Sequence, residues 1–276
     1  MSEGTVQVEV RGHVAVITLD RPERKNALGH AMWAGLGRAA DELHARTPRA
    51  VVLTGAGESF CAGMDVNPDN PQVAKLVGAV AGRDAAPGRA MLLELHGVLD
   101  RLFSLPVPIV AALGGLAYGG GAEIATRCDL RVADPRATIC FSEVRLGLMP
   151  DLGGGVALAR LLGPGRAADL ILTARKVGAD EALALGLVNR VSAPRASLAD
   201  AVALADTIAG NGPRAVRAAL AVIRGATDLS WPDAVAGELE AAAALIASGE
   251  CQVGIGAFLG RSTPQFVDVP AAAPAP

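Results

Sequence analysis

Two rhythms of apolar and polar positions run along this chain. Residues 6–10 and 14–19 are β-branched runs separated by Gly12, which predicts a hairpin. Residues 30–44 place Met32, Leu36, Ala39, Ala40 and Leu43 at helical spacing. Residues 50–54 and 109–113 are short continuous apolar runs, the signature of strands buried on both faces. A helix over 90–103 is stopped by Pro106 and Pro108. Next come a helix over about 120–127 and strands over 130–133 and 138–141. Helical patterns follow over 156–162, 166–173 and 180–185, then a short strand over 187–191. After Ala196 the pattern is helical at 198–210, 213–224, 231–247 and 250–258. Strands recurring with helices between them predict an α/β fold, with a helical section after residue 196. Residues 55–66 read as a glycine-bearing loop. Residues 67–88, with Pro68, Pro71 and Pro87, read as a surface excursion, either an insertion or a lid. No fixed-period sequence repeat stands out. Residues 269–276, ending in PAAAPAP, read as a disordered tail.

Composition narrows the classes. Hydrophobic residues make up 51% of the 276, enough for a large core, while aromatics are only 3%, so that core must be aliphatic. A net charge of −3 and only three lysines (Lys25, Lys75, Lys176) argue against nucleic acid as a partner. Apolar stretches are broken well short of the roughly 20 residues a spanning helix needs, so no membrane is expected. The first ten residues carry Glu3 and Glu9 and no apolar run, which predicts no secretory leader and a cytoplasmic protein. Cys61, Cys128, Cys140 and Cys251 lie far apart and read as reduced thiols. They form no ligand spacing with His13, His30, His44 or His96, so no metal is expected.

Three segments could carry chemistry. The first, SFCAGMD over 59–65, follows a predicted strand, and its glycine can turn backbone N–H groups toward a ligand. The second, GGLAYGGGAE over 114–123, runs from strand through glycines into a helix. That is the setting of an anion site, where free N–H groups and the helix dipole meet. It lacks the order of a dinucleotide fingerprint or a P-loop. The third, SEVRLGLMPDLGGG over 142–155, holds Glu143 and also Asp151, which is either functional or a helix cap. No G-x-S-x-G elbow occurs, so hydrolase chemistry of that type finds no support.

Taken in this order, the three segments resemble the crotonase (enoyl-CoA hydratase/isomerase) superfamily. VAVITLDRPERKNAL over 14–28, LILTARKVGADEALALGLVNRV over 170–191 and GAFLGRSTPQF over 256–266 extend the resemblance from about residue 5 to 268. It implies a spiral core of repeated ββα units over 1–196 holding the coenzyme A and active sites. A helical oligomerisation section over 197–268 would assemble a homotrimer or a dimer of trimers. By motif position the backbone N–H groups of Met64 and Gly120 would form an oxyanion hole for a thioester oxygen, Gly120 gaining from the helix start. Glu123 would be the base toward water and Glu143 the acid/base at the substrate α-carbon, with one pKa pushed up by the other's charge. Coenzyme A, part of the substrate rather than a cofactor, would lie over Ala62, Gly63, Asp65 and Val66 and beside Ala27, with Arg24 and Lys25 facing its phosphates. The resemblance thus implies hydration of a trans-2-enoyl-CoA. One departure opens an alternative. Asp151 stands where many hydratases have glycine, and an aspartate there marks double-bond isomerases that shuttle a proton with the partner glutamate. A non-catalytic acyl-CoA-binding protein is a third reading, against which the presence of both glutamates argues.

Overall fold

The computed structural model describes residues 3–269. A hairpin of β1 (Thr5–Arg11) and β2 (Val14–Asp20) leads to α1 (His30–Ala45), β3 (Ala50–Gly55) and β4 (Ser59–Cys61). Then come α2 (Pro71–Gly82), α3 (Ala85–Phe103), β5 (Ile109–Leu113), β6 (Leu116–Tyr118), α4 (Gly120–Arg127), β7 (Leu130–Ala133) and β8 (Thr138–Cys140). The chain continues through α5 (Gly154–Leu162), α6 (Pro164–Thr173), β9 (Val177–Gly178), α7 (Ala179–Leu185) and β10 (Arg190–Val191). It closes with α8 (Ser197–Ala209), α9 (Pro213–Gly225), α10 (Trp231–Ala247) and α11 (Glu250–Leu259).

Six strands form one sheet in the order β1-β2-β3-β5-β7-β10, parallel except for the β1–β2 hairpin. The period-2 geometry of a strand splits its side chains between two cores. Ile17, Leu53, Ala111 and Ala133 face the larger one, with α1 and α3. Val16, Val52, Val110 and Val132 face Ala201, Leu204, Ala205 and Ala209 of α8. Covering on both faces explains why these strands read as unbroken apolar runs. A second sheet, β4-β6-β8-β9, takes the strand that follows each of β3, β5 and β7. The chain therefore repeats strand, strand, helix, as the family's spiral implies, and α8–α11 supply the helical C-terminal section.

The 67–88 excursion differs from expectation, because it is mostly helical. Asn70 caps α2 by accepting from the Gln72 N–H, and Pro71 occupies its first turn, where no N–H is needed. Asp84 caps α3 by accepting from the Ala86 N–H, so α3 starts five residues earlier than its apolar spacing alone suggests. The two-strand loop segments 55–66 and 114–121 also hide the short strands β4 and β6. Of the tail expected to be disordered, 270–276 lie outside the described residues, while the Val269 carbonyl accepts from Arg217 Nη2 at 2.7 Å. Cys61, Cys128 and Cys140 are buried free thiols and Cys251 an exposed one. Burial pushes the Cys61 and Cys128 thiols up to about 12. Among the described residues no single helix is long and apolar enough to cross a membrane; α10 and α11 pass such a test only as a bent pair.

Candidate active site

Strands β4, β6 and β8 lie side by side and parallel, with Ser59 opposite Leu116 and Ala117 opposite Ile139. Their carboxyl ends therefore deliver three segments to one edge: the 62–66 loop, the Gly119–Gly120 turn and the 141–143 turn. This is where parallel sheets place ligands. Two glycines allow the segments to touch. Gly63 has φ +88°, and a side-chain carbon on it would sit 2.7 Å from the Tyr118 oxygen and 3.0 Å from the Gly120 nitrogen. Gly119 has φ +52° and ψ −128°, which an L side chain rarely adopts, and its N–H donates to the Cys140 carbonyl at 2.9 Å.

Leu28 forms a parallel bridge with Met64: the Leu28 N–H donates to the Gly63 carbonyl at 2.7 Å and the Asp65 N–H to the Leu28 carbonyl at 3.1 Å. In that pattern the Met64 N–H points away from the bridge. Gly120 is the first residue of α4, so its N–H has no acceptor within the helix. The Met64 nitrogen lies 3.9 Å from the place of a Cβ on Gly120. Two backbone donors thus converge, with the positive end of α4 behind one of them.

Two glutamates border this point. Glu123, in the first turn of α4, is 1% exposed, and Glu143, just after β8, is 9% exposed. Three backbone donors hold Glu123. Oε1 accepts from the Asp151 N–H at 3.2 Å, and Oε2 accepts from the N–H groups of Leu152 and Gly154 at 2.8 and 2.9 Å. Neither buried oxygen of Glu143 has a partner at hydrogen-bonding geometry among the described residues. Burial pushes Glu123 up to about 8; the Leu152 and Gly154 N–H groups pull against this, while the charges of Glu143 and Asp151 add to it. Burial also raises Glu143, and a proton on Glu123 offers it a hydrogen bond that works the other way. The two carboxyls are one coupled pair, which near neutral pH holds a proton between them. Asp151 is raised as well, chiefly by burial. Such opposed carboxyls in a buried site are built for proton transfer.

A family model described as enoyl-CoA hydratase/isomerase matches residues 9–269. The chain belongs to the enoyl-CoA hydratase/isomerase family. A short-chain-enoyl-CoA hydratase of Clostridium acetobutylicum is 37% identical over 253 residues, covering 91% of this chain and 90% of that protein. Among solved structures, an enoyl-CoA hydratase from Polaromonas sp. JS666 superposes with a TM-score of 0.85 at 30% identity, covering 96% of this chain and all of that one. The enoyl-CoA hydratase from Bacillus anthracis gives 0.84 at 32% identity, covering 95% of this chain and 98% of that one.

The family motifs around 21–28 and 62–66 form one surface beside the site. Arg24 and Lys25 are exposed, Ala27 and Ala62 half-buried, Gly63 buried and Val66 exposed. Asp65 is turned inward, where its Oδ2 accepts from Arg21 Nη1 at 2.6 Å. Burial works to raise the Asp65 pKa, but the hydrogen bonds from Arg21 and the Asn67 N–H carry it below the ordinary value. Its carboxylate therefore braces the 62–66 loop. Asn26 does the same for the facing turn and escapes a reading confined to charged groups. Fully buried at φ +57°, it accepts from the Arg21 N–H at 2.9 Å. Its amide donates to the carbonyls of Ala56 and Ser59 at 2.9 and 2.8 Å. Only its place in the R-P-x-x-x-N-A-L turn hints at it in the sequence. His96 and Arg127, which hold the 150–154 loop, leave no local signal at all. Among the described residues no group of three or more His, Cys, Asp or Glu side chains could hold a metal ion.

Proposed function

We propose that this chain is an enoyl-CoA hydratase that adds water across the 2,3 double bond of a trans-2-enoyl-CoA. The observation that carries this is the placement of two buried, coupled glutamates beside two convergent, unengaged backbone N–H groups. In this reading the thioester oxygen accepts from the Met64 and Gly120 N–H groups. Glu123 takes a proton from water, and the hydroxyl adds to C3. The electron pair moves onto the thioester oxygen as an enolate, which the two donors stabilise by several kcal/mol. Glu143 then gives its proton to C2. The three N–H bonds favour the anion on Glu123, which suits a base, and Glu143 lacks such a set of backbone donors from the facing loop, which suits an acid. The proton left on Glu123 passes to Glu143 through the coupled pair, which resets the site. Arg24 and Lys25 are assigned to the phosphates of coenzyme A, with Ala27, Ala62, Gly63 and Val66 as its bed and Asp65 as the brace of that bed. Glu123→Gln and Glu143→Gln should each fold and lose most turnover; full activity in both would end this assignment.

Asp151 supports a second reading. Its carboxyl is raised by burial, and its own N–H binds Glu123. A double-bond isomerase would move a proton between C2 and C4 using Glu143 and Asp151, with the same oxyanion hole and no added water.

The assembly is assigned to a homotrimer or dimer of trimers through the 197–268 section. No residue of α10 or α11 is buried, and Trp231 and Phe258 are 81% and 83% exposed. An apolar face of this kind is expected to be covered by a copy of the chain. Sedimentation equilibrium of the parent and of Phe258→Glu tests this: a monomeric parent would refute it. The three buried reduced thiols agree with a cytoplasmic location.

A further inference from the structure

Helix α3 stands behind the 150–154 loop and reaches it twice. His96 Nε2 lies 2.7 Å from the Asp151 carbonyl oxygen. A carbonyl only accepts, so this ring nitrogen carries the proton and donates. One turn further, on the same face, Asp100 accepts from Arg127 Nη2 at 2.8 Å, and Arg127 Nη1 donates to the Leu152 carbonyl at 3.0 Å. The Arg127 guanidinium also lies 4.6 Å from the centre of the Phe103 ring, a further residue of α3. Two consecutive carbonyls of the loop are thus held from behind, while N–H groups of the same stretch, from Asp151, Leu152 and Gly154, grip the Glu123 carboxyl in front.

We infer that His96, with the Asp100–Arg127 pair beside it, is a positioning residue that fixes the 150–154 loop so that its three N–H groups hold Glu123 in place. This rests on the hydratase reading for its consequence in turnover, but the geometry stands without it. The groups around Glu123 are Glu143 and Asp151 in front, and His96 and Arg127 behind the loop. The donors to its oxygens are the three backbone N–H groups of this loop, while Glu143 meets it as the partner carboxyl, so slackening the loop removes donors from the Glu123 anion. The ionised form of Glu123 then becomes harder to reach.

His96→Ala and His96→Gln test it, the glutamine amide being able to donate to the same carbonyl. With a short trans-2-enoyl-CoA, His96→Ala should lower kcat roughly ten- to hundredfold, as small misplacements of a reacting group do, with KM little changed. The rising limb of its pH–rate profile should move to higher pH, and His96→Gln should recover most of both losses. Independently, 13C NMR of protein labelled at the glutamate carboxyls, assigned with Glu123→Gln, should show Glu123 titrating at higher pH in His96→Ala than in the parent. A shifted titration in His96→Ala, alongside a parent that hydrates no enoyl-CoA, keeps the positioning role and removes the hydratase reading. An unmoved titration and pH limb in His96→Ala, whether or not its Tm falls, would overturn the inference.

Discussion

Glu123→Gln should change how stability depends on pH. In the folded chain Glu123 ionises at about 8 against an ordinary value of 4.5. The native state therefore keeps a proton that the unfolded chain gives up. The stability this contributes is complete below pH 4.5 and is lost as pH rises through about 8. At 1.36 kcal/mol for each tenfold change, the gap corresponds to about 5 kcal/mol above pH 8, of which about 3 is already lost at pH 7. The side chain is almost fully buried, so solvent screening does not reduce this much. Glutamine keeps the size and cannot ionise. Its amide turns an N–H toward one of the three backbone donors, a pH-independent cost of about 1–3 kcal/mol. Losing the Glu123 charge also relieves Glu143, which acts in the same direction as the main effect. Urea unfolding of parent and variant across this pH range isolates the term, because other titrating groups cancel in the difference. The variant should gain on the parent by several kcal/mol between about pH 5 and 8.5. A difference that stays flat within about 1 kcal/mol would show that Glu123 does not hold its proton as described.

The remaining predictions concern turnover and the scaffold. Activity of the parent should rise as pH approaches 8, because the base must lose its proton; a rate already maximal at pH 6 would contradict the Glu123 assignment. Gly63→Ala forces a carbon toward the Tyr118 oxygen and the Gly120 nitrogen, so kcat should drop on the order of a hundredfold as the two donors part. Acyl-CoA binding measured by calorimetry should persist in that variant. Asn26→Ala leaves several buried backbone groups without their partner and should cost about 2–3 kcal/mol in urea unfolding. Asp151→Asn should leave hydration largely intact while abolishing any movement of a double bond; loss of hydration alone would move Asp151 into the water-activating machinery.

The sequence was most legible where local physics decides the outcome. Valine-rich runs bounded by glycine and proline became β2, β3 and β5, and the helical spacings after Ala196 became α8–α11 nearly residue for residue. The strands β4 and β6 were missed because three residues between glycines carry no period to read. The 67–88 stretch reads as irregular because its prolines can break helices, whereas Pro71 starts α2 behind an Asn70 cap. The ββα repeat left no sequence period because α2 and α3 sit within only one of its turns. In the site, Glu123, Glu143 and the glycine turns could be found because their motifs are local. The grip on Glu123 comes from the loop 28 to 31 positions away, and the props behind that loop come from α3 and α4. Such contacts exist only once the chain has folded.

The hydratase reading is tested most directly by the mass of what leaves the site. Purified protein is given a short trans-2-enoyl-CoA while the ultraviolet absorbance of the conjugated thioester is followed and the product is weighed by mass spectrometry. The account predicts loss of absorbance with gain of one water. An unchanged absorbance with that substrate, together with conversion of a 3-enoyl- or dienoyl-CoA to an isomer of the same mass, would contradict it and transfer the proton chemistry to Glu143 and Asp151.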